Sequence, residues 1–87
     1  MNRKYRIEFT PRFRRRFKAL SRDVQVRILR KVKLLQDDPY LGKPLRGEWR
    51  GIYSLRIGNF RVLYQLKDDC VFLLTVAHRK RIYQRQS

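Results

Sequence analysis

The chain has 87 residues, of which 23 are Lys or Arg and 7 are Asp or Glu, giving a formal net charge of +16. This length supports one domain with one core, and 43% hydrophobic residues, including five Tyr, five Phe and one Trp, exclude a disordered basic tail. A single cysteine, Cys70, excludes both a disulfide framework and a thiolate metal site.

So much like charge on a short chain repels itself. A partner that supplies negative charge is therefore expected, either nucleic acid or an acidic protein. Met1 to Arg6 lack the apolar segment of a signal peptide, and no apolar run is long enough to span a bilayer. A cytoplasmic protein with no membrane partner is expected.

Tyr5-Arg6-Ile7-Glu8-Phe9 alternates apolar and polar residues, the period of a half-buried strand. Thr10-Pro11 then supplies a capping hydroxyl and a first-turn proline, so a helix should start there. Phe13, Phe17 and Leu20 share one face of that helix, and Arg12, Arg14, Arg15, Arg16 and Lys18 fill the remainder. Ser21 can cap a second helix, with Asp23 well placed against the dipole. Its apolar stripe is Val24, Ile28, Val32 and Leu35, widened by Leu29, and Asp37-Asp38-Pro39 ends it. So short a link between the two predicts an antiparallel helical hairpin.

Residues 40 to 51 read as an ordered loop punctuated by Gly42, Pro44, Gly47 and Gly51, with Trp49 either a plug for the core, the safer reading, or an exposed stacking platform. Three strands follow, Ile52 to Ile57, Phe60 to Lys67 and Cys70 to Ala77. Gly58-Asn59 makes the first hairpin a type II′ turn, with glycine first, and Asp68-Asp69 marks the second. The expected fold is α+β, with the two helices on one face of a four-stranded antiparallel sheet formed by the N-terminal strand and a three-stranded meander. All 87 residues form that single domain.

A two-residue turn at Gly58-Asn59 fixes the hairpin register. Ile57 then faces Phe60, Leu55 faces Val62 and Tyr53 faces Tyr64, an apolar set that belongs to the core. On the other face Arg56 lies opposite Arg61, and Ser54 opposite Leu63. Like charges paired across strands are destabilising, and an anion between them would relieve the repulsion. Guanidinium forks match phosphate oxygens bidentately, so a phosphate is the expected anion.

The third strand is apolar on both faces, as a central strand should be, and runs into Ala77-His78-Arg79-Lys80-Arg81-Ile82-Tyr83. A strict two-residue turn at Asp68-Asp69 would put His78 on the arginine face, whereas a bulge would put Arg79 there. Both remain open from sequence. No His/Cys cluster for zinc, carboxylate cluster for magnesium or P-loop is present, so neither a metal site nor a cofactor is expected.

Together, Leu45-Arg46-Gly47, the run Gly51-Ile52-Tyr53-Ser54-Leu55-Arg56-Ile57-Gly58-Asn59-Phe60-Arg61-Val62-Leu63-Tyr64 and the ending from Ala77 to Tyr83 resemble the RelE/ParE superfamily of toxins of toxin–antitoxin systems. Within it the chain is similar to the RelE branch of mRNA interferases. That resemblance implies a ribosome-dependent endoribonuclease with a metal-free site on the open sheet face. It implies that Arg61 contacts the scissile phosphate, that Arg79 stabilises the transition state and that Tyr83 is the general base. Arg56, Ser54, Lys80, Arg81 and His78 would bind RNA phosphates. Ser54 departs from the pattern, standing where bacterial members carry a lysine. A tyrosine, with an ordinary pKa of about 10, is a weak base at neutral pH, and surrounding arginines would favour its phenolate.

The partners implied are an acidic antitoxin, forming a heterotetramer with the toxin, together with the ribosome and mRNA. Two other readings stand beside this one. One is a ParE-like toxin that inhibits DNA gyrase; the other is a member that retains only RNA or antitoxin binding.

Overall fold

The computed structural model describes residues 4–82. Apart from an added short strand, β2, the elements follow the expected order: β1 (Arg6–Phe9), α1 (Pro11–Lys18), α2 (Arg22–Lys33), β2 (Lys43–Pro44), β3 (Ile52–Ile57), β4 (Phe60–Lys67) and β5 (Cys70–His78). They build a five-stranded sheet in the order β1-β5-β4-β3-β2. Both helix starts come from the predicted caps: Thr10 accepts from the Phe13 N–H at 3.3 Å, and Ser21 from the Val24 N–H at 3.4 Å. Gln25 Nε2 donates to the carbonyls of Phe17 and Leu20, tying the first turn of α2 to the end of α1.

One face of the sheet carries the core, where Phe13, Ile28, Val32 and Leu35 from the helical side meet Leu55, Val62, Tyr64, Val71, Leu73 and Val76. The stripe on α2 is as expected except for Leu29, which is 43% exposed. Among the described residues no helix is long and apolar enough to cross a membrane.

The sheet departs from expectation in two respects. It has a fifth strand, because Lys43–Pro44, inside the segment read as a loop, pairs antiparallel with β3. A two-residue edge strand carries too little periodicity to be visible in sequence. Proline is tolerated there because its missing N–H is not needed at an edge. The sheet is also mixed, since β1 pairs parallel with β5. The meander leaves one free edge on β5 for β1, and the direction of docking is set by the path through the helices, for which β1 itself carries no signal.

Trp49 does not plug the main core. It sits on a 3-10 turn over Gly47–Trp49 and is half-buried. With Ile52, Leu63, Leu74 and Ile82 it lines a cavity of about 390 Å³ against the sheet face opposite the helices. Leu63 and Ile82 are buried there. That face therefore has an apolar end and, beyond Leu63 on β4, a cationic one.

Candidate RNA-binding site

The cationic end is built from the β3–β4 hairpin. Its register is the one required by a two-residue turn: Ile57 opposite Phe60, Arg56 opposite Arg61, Ser54 opposite Leu63 and Tyr53 opposite Tyr64. Gly58 takes φ +59° while Asn59 is not in the positive-φ region, consistent with glycine at the first turn position. Arg56 is exposed and Arg61 half-buried. Arg61 Nη1 donates to the Phe60 carbonyl at 3.4 Å, a long bond that engages one of five guanidinium donors.

Beside this pair lies a cleft of about 540 Å³ lined by Ser54, Arg56 and Arg61, and also by Lys43 and Lys31. Among the described residues no acidic side chain lines it. It opens because β2 covers only Tyr53 and Ser54, leaving the outer edge of β3 without a strand neighbour from Leu55 onwards. Lys43 and Lys31 were missed in the sequence. Lys43 stands directly opposite Ser54, so it brings a cation to the position where Ser54 itself has none. The only signal was the Lys-Pro pair, a composition typical of edge strands. Lys31 comes from α2, and nothing local marks it.

The flank holding Lys43 is fixed from beneath by Tyr64, whose ring is fully buried. Its hydroxyl donates to the Pro39 carbonyl at 2.8 Å and accepts from the Gly42 N–H at 2.8 Å. Burial pushes the phenol pKa up to about 12. Gly42 is required by this close approach, since a Cβ there would lie 2.7 Å from the Tyr64 hydroxyl oxygen.

The end of β5 settles the alternation left open by the sequence. Leu63 pairs with Thr75 but Tyr64 pairs with Leu73, so Leu74 is an extra residue on β5. Thr10 holds the bulge: its hydroxyl donates to the Leu73 carbonyl at 2.6 Å and reaches that of Leu74 at 3.2 Å. In consequence Ala77 faces Arg61 and His78 faces Phe60. The Arg79 N–H donates to the Asn59 carbonyl at 2.7 Å, extending the ladder, so alternation carries Arg79 to the Arg61 side.

His78 is placed on the other side. Its ring meets Phe60 edge-on at 5.6 Å and its Nδ1 accepts from the Lys80 N–H at 3.2 Å. His78, Lys80, Arg81 and Arg16 line a separate cavity of about 570 Å³. The structure thus gathers Ser54, Arg56 and Arg61 in one cleft and sets His78, Lys80 and Arg81 in another. Tyr83 lies outside the described residues. Among the described residues no three His, Cys, Asp or Glu side chains gather to hold a metal ion.

Residues 7–83 match the family model described as the ParE toxin of the type II toxin–antitoxin system parDE. Toxin RelG of Mycobacterium tuberculosis is 34% identical over 85 residues, covering 93% of this chain and 98% of RelG. The toxin–antitoxin complex RelBE2 from the same organism contains a chain that superposes with a TM-score of 0.79 at 32% identity, covering 87% of this chain and 92% of that one. The isolated Escherichia coli RelE toxin shares the fold, with a TM-score of 0.76 at 23% identity over 85% of this chain and 83% of RelE. The chain belongs to the RelE/ParE family of toxins of type II toxin–antitoxin systems.

Proposed function

We propose that this toxin is a metal-free, ribosome-dependent endoribonuclease that cuts mRNA, acting in the cytoplasm. The observation that carries this reading is the directly opposed Arg56–Arg61 pair in a cleft lined by four cations and no acid. A phosphate between the two guanidiniums turns a repulsive cross-strand pair into a bidentate clamp.

In the proposed reaction Tyr83, as phenolate, takes the proton from the ribose 2′-hydroxyl. The 2′-oxygen then attacks the adjacent phosphorus, and the P–O5′ bond breaks. The products are a 2′,3′-cyclic phosphate and a 5′-oxygen that collects a proton from water to leave as a hydroxyl. Arg61 holds the phosphate, while Arg79 and Arg56 stabilise the charge of the phosphorane, the kind of electrostatic contribution that usually dominates such catalysis. Lys43 adds to the same field from its place opposite Ser54. His78, Lys80 and Arg81 contact phosphates of the strand outside the reacting linkage. The cleft has no His/Glu acid–base pair, and the ribosome contributes by holding the RNA in a reactive geometry.

The protein partner is an antitoxin with an acidic amphipathic segment that neutralises the basic surface and assembles with the toxin into a heterotetramer. RelB–RelE antitoxin–toxin complexes among the solved structures of similar fold support such a partner. A second reading, inhibition of DNA gyrase, is favoured by the ParE description of the matching family model.

Primer extension on an mRNA in a purified translation system separates the two. Cuts should appear only with ribosomes present and vanish in the Arg61→Ala and Tyr83→Phe variants. An uncut message together with inhibited DNA supercoiling would overturn the nuclease reading.

A further inference from the structure

The β3 edge beside Arg56 carries a second cationic cavity, of about 370 Å³, between α2 and the Gly58–Asn59 turn. Arg27, Arg30 and Lys31 on α2 line it, together with Arg56. Lys31 and Arg56 also line the cleft at Arg61, so the two cavities share a wall. Among the described residues no acidic side chain lines either one. Arg27 is held close to the turn, since a Cβ at Gly58 would lie 2.5 Å from its Nη2. Glycine at this position thus serves both the positive φ of the turn and the approach of a guanidinium.

Six like charges around two joined cavities repel one another, and anions held among them relieve that repulsion. Arg61 lines only the cleft, and Arg27 and Arg30 line only the cavity at the turn, so one anion in each cavity engages all three. We propose that the cavity between α2 and the hairpin turn is a second phosphate subsite, in which Arg27 and Arg30 hold the phosphate adjacent along the RNA to the one at Arg56 and Arg61. This rests on the RNA-cleaving reading above. The RNA strand then crosses the edge of β3 where β2 leaves it uncovered, and Arg56 and Lys31 lie between the two phosphates.

The probe is a fluorescent, uncleavable 2′-O-methyl RNA tetranucleotide, whose binding to the full chain is followed by anisotropy over a salt series. For single strands each phosphate contact contributes about 0.7 to the slope of log affinity against log salt. Arg27→Gln/Arg30→Gln removes one phosphate contact and should flatten the slope by about 0.7, whereas Arg14→Gln/Arg15→Gln, on the outer side of α1, should flatten it by much less. A neutral methylphosphonate next to the central linkage should weaken the wild type but leave the Arg27/Arg30 variant unaffected.

Equal losses in the two double variants would overturn the subsite and reduce α2 to part of a general cationic coat. So would a loss confined to binding of a poly-glutamate peptide, which would assign the cavity to an acidic protein. Arg61→Ala distinguishes failure of the inference from failure of the underlying reading. If it weakens RNA binding while the Arg27/Arg30 variant does not, only the second subsite falls. If neither does, the RNA site itself is wrong.

Discussion

Replacing Tyr64 with phenylalanine removes one oxygen atom from beneath the cleft, and its cost can be worked from the geometry. The ring is fully buried, and the hydroxyl serves the Pro39 carbonyl and the Gly42 N–H, each at 2.8 Å. Without it a buried acceptor and a buried donor lose their partner. Each such group costs about 1–3 kcal/mol, partly offset by the lower desolvation of phenylalanine, so the expected loss is about 2–4 kcal/mol. A domain of this size has a total stability of roughly 4–13 kcal/mol, so this is a large fraction. At about 4–8 °C per kcal/mol for 60–100 residues, the melting temperature should fall by about 10–25 °C at pH 7, as read by circular dichroism.

The pH dependence supplies a second signature. Burial raises the Tyr64 pKa from 10.0 to about 12, so the unfolded chain ionises first as pH rises. The stability contributed by the neutral hydroxyl is complete below pH 10 and is lost progressively between pH 10 and 12. At about 1.4 kcal/mol per pH unit, the loss by pH 12 is between 2 and 3 kcal/mol, and Tyr64→Phe should lack this part of the alkaline limb. A change at pH 7 under about 0.5 kcal/mol, or identical alkaline limbs in the two proteins, would refute the reasoning.

Arg56→Thr should stabilise the free protein by a few tenths to about 1 kcal/mol at low salt, because it removes a like-charge cross-strand pair, while weakening RNA binding; differential scanning calorimetry and anisotropy read the two effects. If Arg56→Thr lowers the melting temperature, the pair is not under repulsion. Lys43→Ala should lower affinity for uncleavable RNA about fivefold at 0.1 M salt, with Lys43→Arg close to wild type, and equal loss in both would place the role of Lys43 in packing. Cys70 is buried and its thiol pKa is raised by that burial, so iodoacetamide should label it only as fast as β4 and β5 open, and immediate labelling of native protein would contradict its placement.

Much of the fold was legible because its signals are local. Thr10 and Ser21 cap their helices by accepting from the backbone N–H three residues on, and a two-residue turn at Gly58-Asn59 admits one register. The opposed Arg56–Arg61 pair follows from that register alone, so the centre of the candidate site was legible in the sequence. Leu29 shows the limit of periodicity: it fits the helical stripe but falls outside the arc that the sheet covers.

What the sequence left open depends on contacts between distant segments. The bulge at Leu74 decides that Ala77 pairs with Arg61 and His78 with Phe60, which takes His78 off the Arg61 side, and the hydroxyl holding that bulge belongs to Thr10, 63 and 64 residues from the carbonyls it meets. The cations from Lys43 and Lys31 enter the cleft only once β2 has docked on β3 and α2 has packed over the sheet. The parallel pairing of β1 with β5 is of the same kind. A short strand offers the same hydrogen-bonding groups in either direction, so the path of the whole chain makes the choice. Local chemistry determined the elements, the register of the hairpin and the arginine pair at its centre. Tertiary packing decided which other charges surround that pair, because charge carries no information about direction until the chain has folded around it.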